Sequence, residues 1–77
     1  MKINVKTLSG EDLEIDIDLG ATVLDLKKCI ELKAGISVEQ QRLVYNGKLI
    51  ESNGDLLKDQ NLQNRSVVHM VIAYRGG

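Results

Sequence analysis

The chain has no proline, no tryptophan and no phenylalanine, and only one cysteine and one histidine among its 77 residues. A lone cysteine, Cys29, closes no internal disulfide and supplies no zinc-ligand spacing, and it fits a reducing, intracellular compartment. No apolar run approaches the roughly 20 residues that a membrane span requires. The opening "MKINVKT" alternates polar and apolar residues and lacks the form of a signal peptide. Ten basic against eleven acidic residues leave a net charge of −1, without the basic excess of a nucleic-acid binder. No glycine-rich phosphate cradle occurs, and no cofactor is implied. One short chain makes one domain, which buries about 60% of its unfolded surface and has nothing but its core to hold it.

What is present is periodicity. In "MKINVKT", Met1, Ile3 and Val5 share one side and Lys2, Asn4 and Lys6 the other, the two-residue repeat of a half-buried strand. "DLEIDID" repeats the pattern, with Leu13, Ile15 and Ile17 inward against four acidic residues. The glycine-containing "LSGE" between the runs predicts a hairpin, with Gly10 at a positive φ. The period then becomes helical. Thr22 with Asp25 opens the segment as a capping box, Gly35 closes it, and Val23, Leu26, Ile30 and Ala34 form one face. Lys27 falls near that face, so its stem is buried and its amine needs an acceptor, whereas Leu24 and Leu32 fall away from it. Asn46-Gly47, between "QQRLVY" and "KLI", predicts a type I′ hairpin turn. The looser "ESNGDLLKDQNLQNR" contains a second Asn-Gly and predicts only a short helical turn around Leu56-Leu57. "SVVHMVIAY" reads as a central strand with Val68, Met70 and Ile72 inward.

The order strand, strand, helix, strand, strand, strand predicts an α+β roll of the β-grasp type. A mixed five-stranded sheet packs on one helix, with the last strand beside the first and parallel to it. Parity puts Val44, Val67, His69, Val71 and Ala73 on the sheet face that no helix covers, and Leu8 at an exposed hairpin tip. Such a cluster is a candidate protein-binding surface as readily as a chance scatter. His69 and Cys29 fall on opposite sides of the sheet, so no nucleophile–base pair forms and no enzymatic site is expected. The chain ends in "AYRGG", where two glycines follow a strand and contribute nothing to a core.

The stretches "VKTL.G", "KAGI...QQRL", "Y.GK", "VHMV" and terminal "RGG" resemble ubiquitin over essentially the whole chain, with one extra residue around Glu51 to Asp55. Within that family the chain is most similar to the neddylation-type (Rub/Nedd) modifiers, on "EIDI", Tyr45 and above all Ala73, where ubiquitin carries an arginine. The resemblance implies a ubiquitin-like domain over residues 1–73 and a flexible conjugation tail over 74–77. The Gly77 carboxylate would be adenylated, passed as a thioester through activating and conjugating enzymes, and joined by a ligase to lysines of cullin-type substrates. An isopeptidase would reverse the bond. Gly76 would let the tail thread a narrow channel, Arg75 would be a charged handle, and Ala73 would select the neddylation activating enzyme over the ubiquitin one. Leu8, Val44, His69 and Val71 match the family's hydrophobic patch, Ile36 and Ile72 a second one, and Lys48 a chain-acceptor lysine. A monomer working in cytoplasm and nucleus, on neither nucleic acid nor membrane, is implied.

The chain departs from the family in having Ser37-Val38 where prolines are usual, and valine in place of isoleucine at 44. That valine trims a methylene worth about 0.8 kcal/mol in a buried contact. Lys6, Lys27, Lys33 and Lys48 match linkage lysines of ubiquitin, while Glu11, Cys29 and Asn64 stand where others would be. A divergent ubiquitin, a sulfur carrier ending in a thiocarboxylate and a binding domain that conjugates to nothing are the alternatives. If the encoded protein continues past Gly77, a peptidase must act first.

Overall fold

The computed structural model describes residues 1–50 and 52–73. Five strands form one sheet: β1 (Lys2–Thr7), β2 (Asp12–Asp16), β3 (Gln41–Tyr45), β4 (Lys48–Ile50) and β5 (Ser66–Ile72). Their spatial order is β2-β1-β5-β3-β4. The β1–β5 pair is parallel and the other three are antiparallel, so the sheet is mixed and the last strand lies beside the first, as the sequence predicts. A single α-helix, α1 (Val23–Ala34), covers one face. Two 3-10 turns, Val38–Gln40 and Leu57–Gln60, complete the described elements.

Local chemistry sets the boundaries. Thr22 accepts a hydrogen bond from the Asp25 amide at 3.2 Å, and the Asp25 carboxylate accepts one from the Thr22 amide at 3.1 Å. These reciprocal bonds satisfy donors that a helix N-terminus leaves unpaired, and chiefly the Thr22 backbone bond holds the Asp25 carboxyl below its ordinary range. Two further amides of the first turn, Val23 and Leu24, donate to the Asp55 and Asn53 carbonyls at 2.9 and 3.0 Å. At the other end Gly35 sits at φ 74°, a left-handed position that favours glycine, and its amide closes on the Glu31 carbonyl. Asn46 (φ 56°) and Gly47 (φ 78°) turn β3 into β4.

Ile3 and Val5 of β1, Ile15 of β2, Leu43 of β3 and Val68 and Met70 of β5 pack against Val23, Leu26 and Ile30 of α1, each at most 1% exposed. Ala34, expected on that helix face, is half-buried at its end, and Leu24, expected to point away, is half-buried as well. Leu32 stands out at 88% exposure. Leu57 and Leu62 seal the core from the irregular 52–65 segment, which the periodic pattern does not reveal. β5 ends at Ile72, so Ala73 lies beyond the strand.

Two polar side chains enter this interior. Gln41 is 3% exposed, and its Nε2 donates to the carbonyls of Lys27 and Ile36 at 2.8 and 2.9 Å, tying β3 to α1 and to the segment after it. Its Oε1 has no partner among the described residues. Lys27 is 7% exposed, and the acceptor that its amine requires is Asn53 Oδ1 at 2.8 Å, a neutral amide. Burial and, less strongly, the Arg42 charge hold its pKa below the usual lysine value.

Candidate functional site

The face without a helix carries the predicted surface residues, and strand register brings them together. Val44 pairs with His69, and Arg42 with Val71, across β3 and β5. Leu49 pairs with Val44 from β4. On the other side of β5, Lys6 lies beside His69 and Asn4 beside Val67. Adjacent strands bring paired side chains to one face, so Val44, Leu49, Val67, His69 and Val71 form one surface. His69 is exposed at its centre, Val44 and Val71 are half-buried, and Val67 and Leu49 are 37% and 42% exposed.

The same face changes character toward β2. There Asp12, Glu14 and Asp16 stand opposite Lys6, Asn4 and Lys2, and Lys2 Nζ reaches Glu14 Oε1 at 3.1 Å. An exposed pair of this kind adds little stability. It makes that half of the face ionic and leaves the apolar surface on β5, β3 and β4, with Arg42 and Lys6 as its cations. Alternation from Val44 would have found Arg42, and the β4 register Leu49; neither was among the predicted site residues.

Leu8 is 83% exposed in the turn between β1 and β2. Its turn is internally bonded: Thr7 Oγ1 and Ser9 Oγ lie 2.9 Å apart, and the Glu11 amide donates to Thr7 Oγ1 at 3.1 Å. Thr7, Leu8 and Ser9 line a cleft of about 220 Å³ together with Met70 and Ile72. Ile72 therefore opens toward Leu8. Ile36 is half-buried against the core, and Gln41 links the two, since its backbone faces Ile72 in the ladder while its amide holds the Ile36 carbonyl. Lys48 is exposed at the start of β4. Ala73 continues the course of β5, its amide donating to the Gln40 carbonyl at 2.7 Å. The other tail residues expected to function, Arg75, Gly76 and Gly77, lie outside the described residues.

Cys29 packs against the core from α1 and His69 faces outward from β5, so the sheet separates them. Among the described residues no three His, Cys, Asp or Glu side chains group as metal ligands, and no helix is long and apolar enough to cross a membrane. The outer face thus carries valines and a leucine around His69, with the cations Arg42 and Lys6 beside them.

Comparison with known proteins shows the family. The Ubiquitin family's sequence profile matches residues 3–75. Ubiquitin-like protein 1 of Schizosaccharomyces pombe is 43% identical over 77 residues, covering 100% of this chain and 97% of the relative. The NEDD8-like protein RUB3 of Arabidopsis thaliana is 45% identical over 78 residues, with the same coverage. Ubiquitin-like protein NEDD8 of Dictyostelium discoideum is 40% identical over 77 residues, covering 100% of this chain and 99% of its own. With a match that takes in the sheet, the helix and the bare face alike, and relatives that align along their whole length, this chain belongs to the ubiquitin family.

Proposed function

We propose that this chain is a protein modifier of the neddylation type, joined through the Gly77 carboxylate to lysines of target proteins, with cullin-type subunits of ubiquitin ligases as the substrates. The observation that carries this reading is the end-to-end similarity to NEDD8-like proteins, together with the diglycine in the stretch Ala73-Tyr74-Arg75-Gly76-Gly77. Adenylation makes the carboxylate electrophilic, a cysteine of the activating enzyme displaces AMP to form a thioester, and a lysine amine finally takes the acyl group. Such chemistry asks little of the modifier's side chains. It needs a carboxylate on a slender tail and a surface by which enzymes and readers hold the domain. Gly76 and Gly77 supply the first, with no β-carbon to obstruct a narrow channel. The Val44, His69 and Val71 surface, with Leu8 at one end, suits the second.

Ala73 is the selector in this reading. An activating enzyme built for a guanidinium at this position would bury an unpaired acidic group against a methyl, which costs binding. The test is incubation of the chain with ATP and either a neddylation-type or a ubiquitin-type activating enzyme. The expected product is a reductant-sensitive thioester with the former, lost on deletion of Gly77, and Ala73→Arg shifts charging toward the latter. Charging by the ubiquitin-type enzyme alone overturns the neddylation assignment. Absence of thioester with both overturns conjugation.

A further inference from the structure

The second Asn-Gly pair, Asn53-Gly54, has no part in the conjugation chemistry, yet the Asn53 side chain meets the buried amine of Lys27. Lys27 Nζ donates to Asn53 Oδ1 at 2.8 Å, and Asn53 itself is exposed to solvent. A Cβ built on Gly54 would meet nothing within 4 Å, and glycine carries none, so no side chain obstructs the Gly54 nitrogen on its way to the Asn53 side chain. We propose that Asn53 is a site of spontaneous deamidation, favoured by Lys27, and that its aspartyl product forms an ion pair with the Lys27 ammonium.

The chemistry needs only solvent water. The Gly54 amide nitrogen attacks Cγ of Asn53 and gives up its proton, the side-chain nitrogen leaves as ammonia, and a five-membered succinimide closes. Water then opens the ring at either carbonyl, giving aspartate or isoaspartate. As the nitrogen attacks, negative charge gathers on Oδ1, the atom that already accepts from Lys27. A fixed cationic donor there stabilises the developing oxyanion. Asn46-Gly47 is an internal control: Asn46 is exposed in its turn and makes no side-chain hydrogen bond among the described residues.

The two products act differently. Aspartate gives the buried ammonium a counter-ion in place of a neutral amide, which favours its charged form. Isoaspartate adds a methylene to the main chain at residue 53. The neighbouring carbonyls of Asn53 and Asp55 hold the Leu24 and Val23 amides, so that product loosens the start of α1.

The experiment ages the full chain in mildly alkaline buffer, followed by brief digestion at lysine and arginine. Residues 43–48 and 49–58 then separate Asn46 from Asn53, and each deamidation adds about 1 Da. The expected result is that 49–58 gains mass well before 43–48. Lys27→Met should slow the Asn53 reaction about tenfold, as loss of a charged hydrogen bond does, and leave Asn46 unchanged. Equal rates, a faster Asn46, or an Asn53 rate indifferent to Lys27→Met overturns the proposal. Asn53→Asp tests the product separately: its Tm should exceed the parent's at neutral pH, and an unchanged or lower Tm overturns the ion pair.

Discussion

The two faces of the sheet are made by the same strands, residue by alternate residue, and they meet opposite fates. Val68 and Met70 of β5 point under α1 and are at most 1% exposed, while their neighbours Val67 and His69 face outward without cover. Both faces are rich in apolar atoms; what differs is whether the chain supplies its own partner. The inner face has the helix and two sealing leucines from the 52–65 segment. Among the described residues no element lies across the outer face, and its apolar side chains stay partly or largely exposed. Burial and exposure are thus distributed by parity along one strand, and on the proposed reading a mutation one residue away changes whether stability or recognition is lost.

The sharpest way to break that separation is on the inner side. Leu43 is fully buried between β5 and β4, and Leu43→Ala should cost about 3 kcal/mol of unfolding free energy in a denaturant titration, from lost transfer energy and the cavity left behind. A smaller loss comes from the helix that covers the inner face. Thr22→Ala removes one half of the capping box and should cost about 1 kcal/mol. It should reduce the acid limb of the stability profile only in part, because alanine keeps the residue-22 amide that is the chief partner of the Asp25 carboxylate. Asp25 has its folded pKa below its unfolded value, so the unfolded chain binds more protons in acid, and the stabilisation present above pH 3.8 is lost as pH falls through the folded value. Measuring denaturation midpoints from neutral pH downward, with Asp25 and with Asp25→Asn, isolates that contribution. The smallest stability effect belongs to the outer face. His69→Ala should change unfolding free energy by no more than about 0.5 kcal/mol, the usual range for exposed positions, while weakening binding of proteins that dock on this surface. A destabilisation as large as that of Leu43→Ala would mean that the outer face is structural after all.

How much of this could be read from the chain follows the same division. Strands and helix were legible because alternation and the three-to-four repeat are imposed by burial, and the capping box and the first Asn-Gly turn because each has a chemical signature. The outer face was legible from parity alone. Leu62 was not, because it seals the core from a segment whose backbone is held by turns and left-handed residues such as Asn61 and Arg65, and turns impose no hydrophobic period. Gln41 was not either. A glutamine in a strand reads as surface, and its burial depends on two carbonyls, of Lys27 and Ile36, that only the folded chain brings to it. Lys27 lay between these cases: its helical phase announced the buried stem, but Asn53 as the acceptor comes from across the fold.

The parallel pairing of β1 and β5 has a mechanical consequence. The two strands are neighbours inside the sheet and run in the same direction, so tension applied at Lys2 and at Ile72 pulls them past one another along their length. The load falls on the whole ladder from Ile3–Ser66 to Thr7–Met70 at once, where an antiparallel hairpin pulled from its open end would unzip bond by bond. A domain wired in this way resists extraction through its end strands more strongly than its modest size suggests.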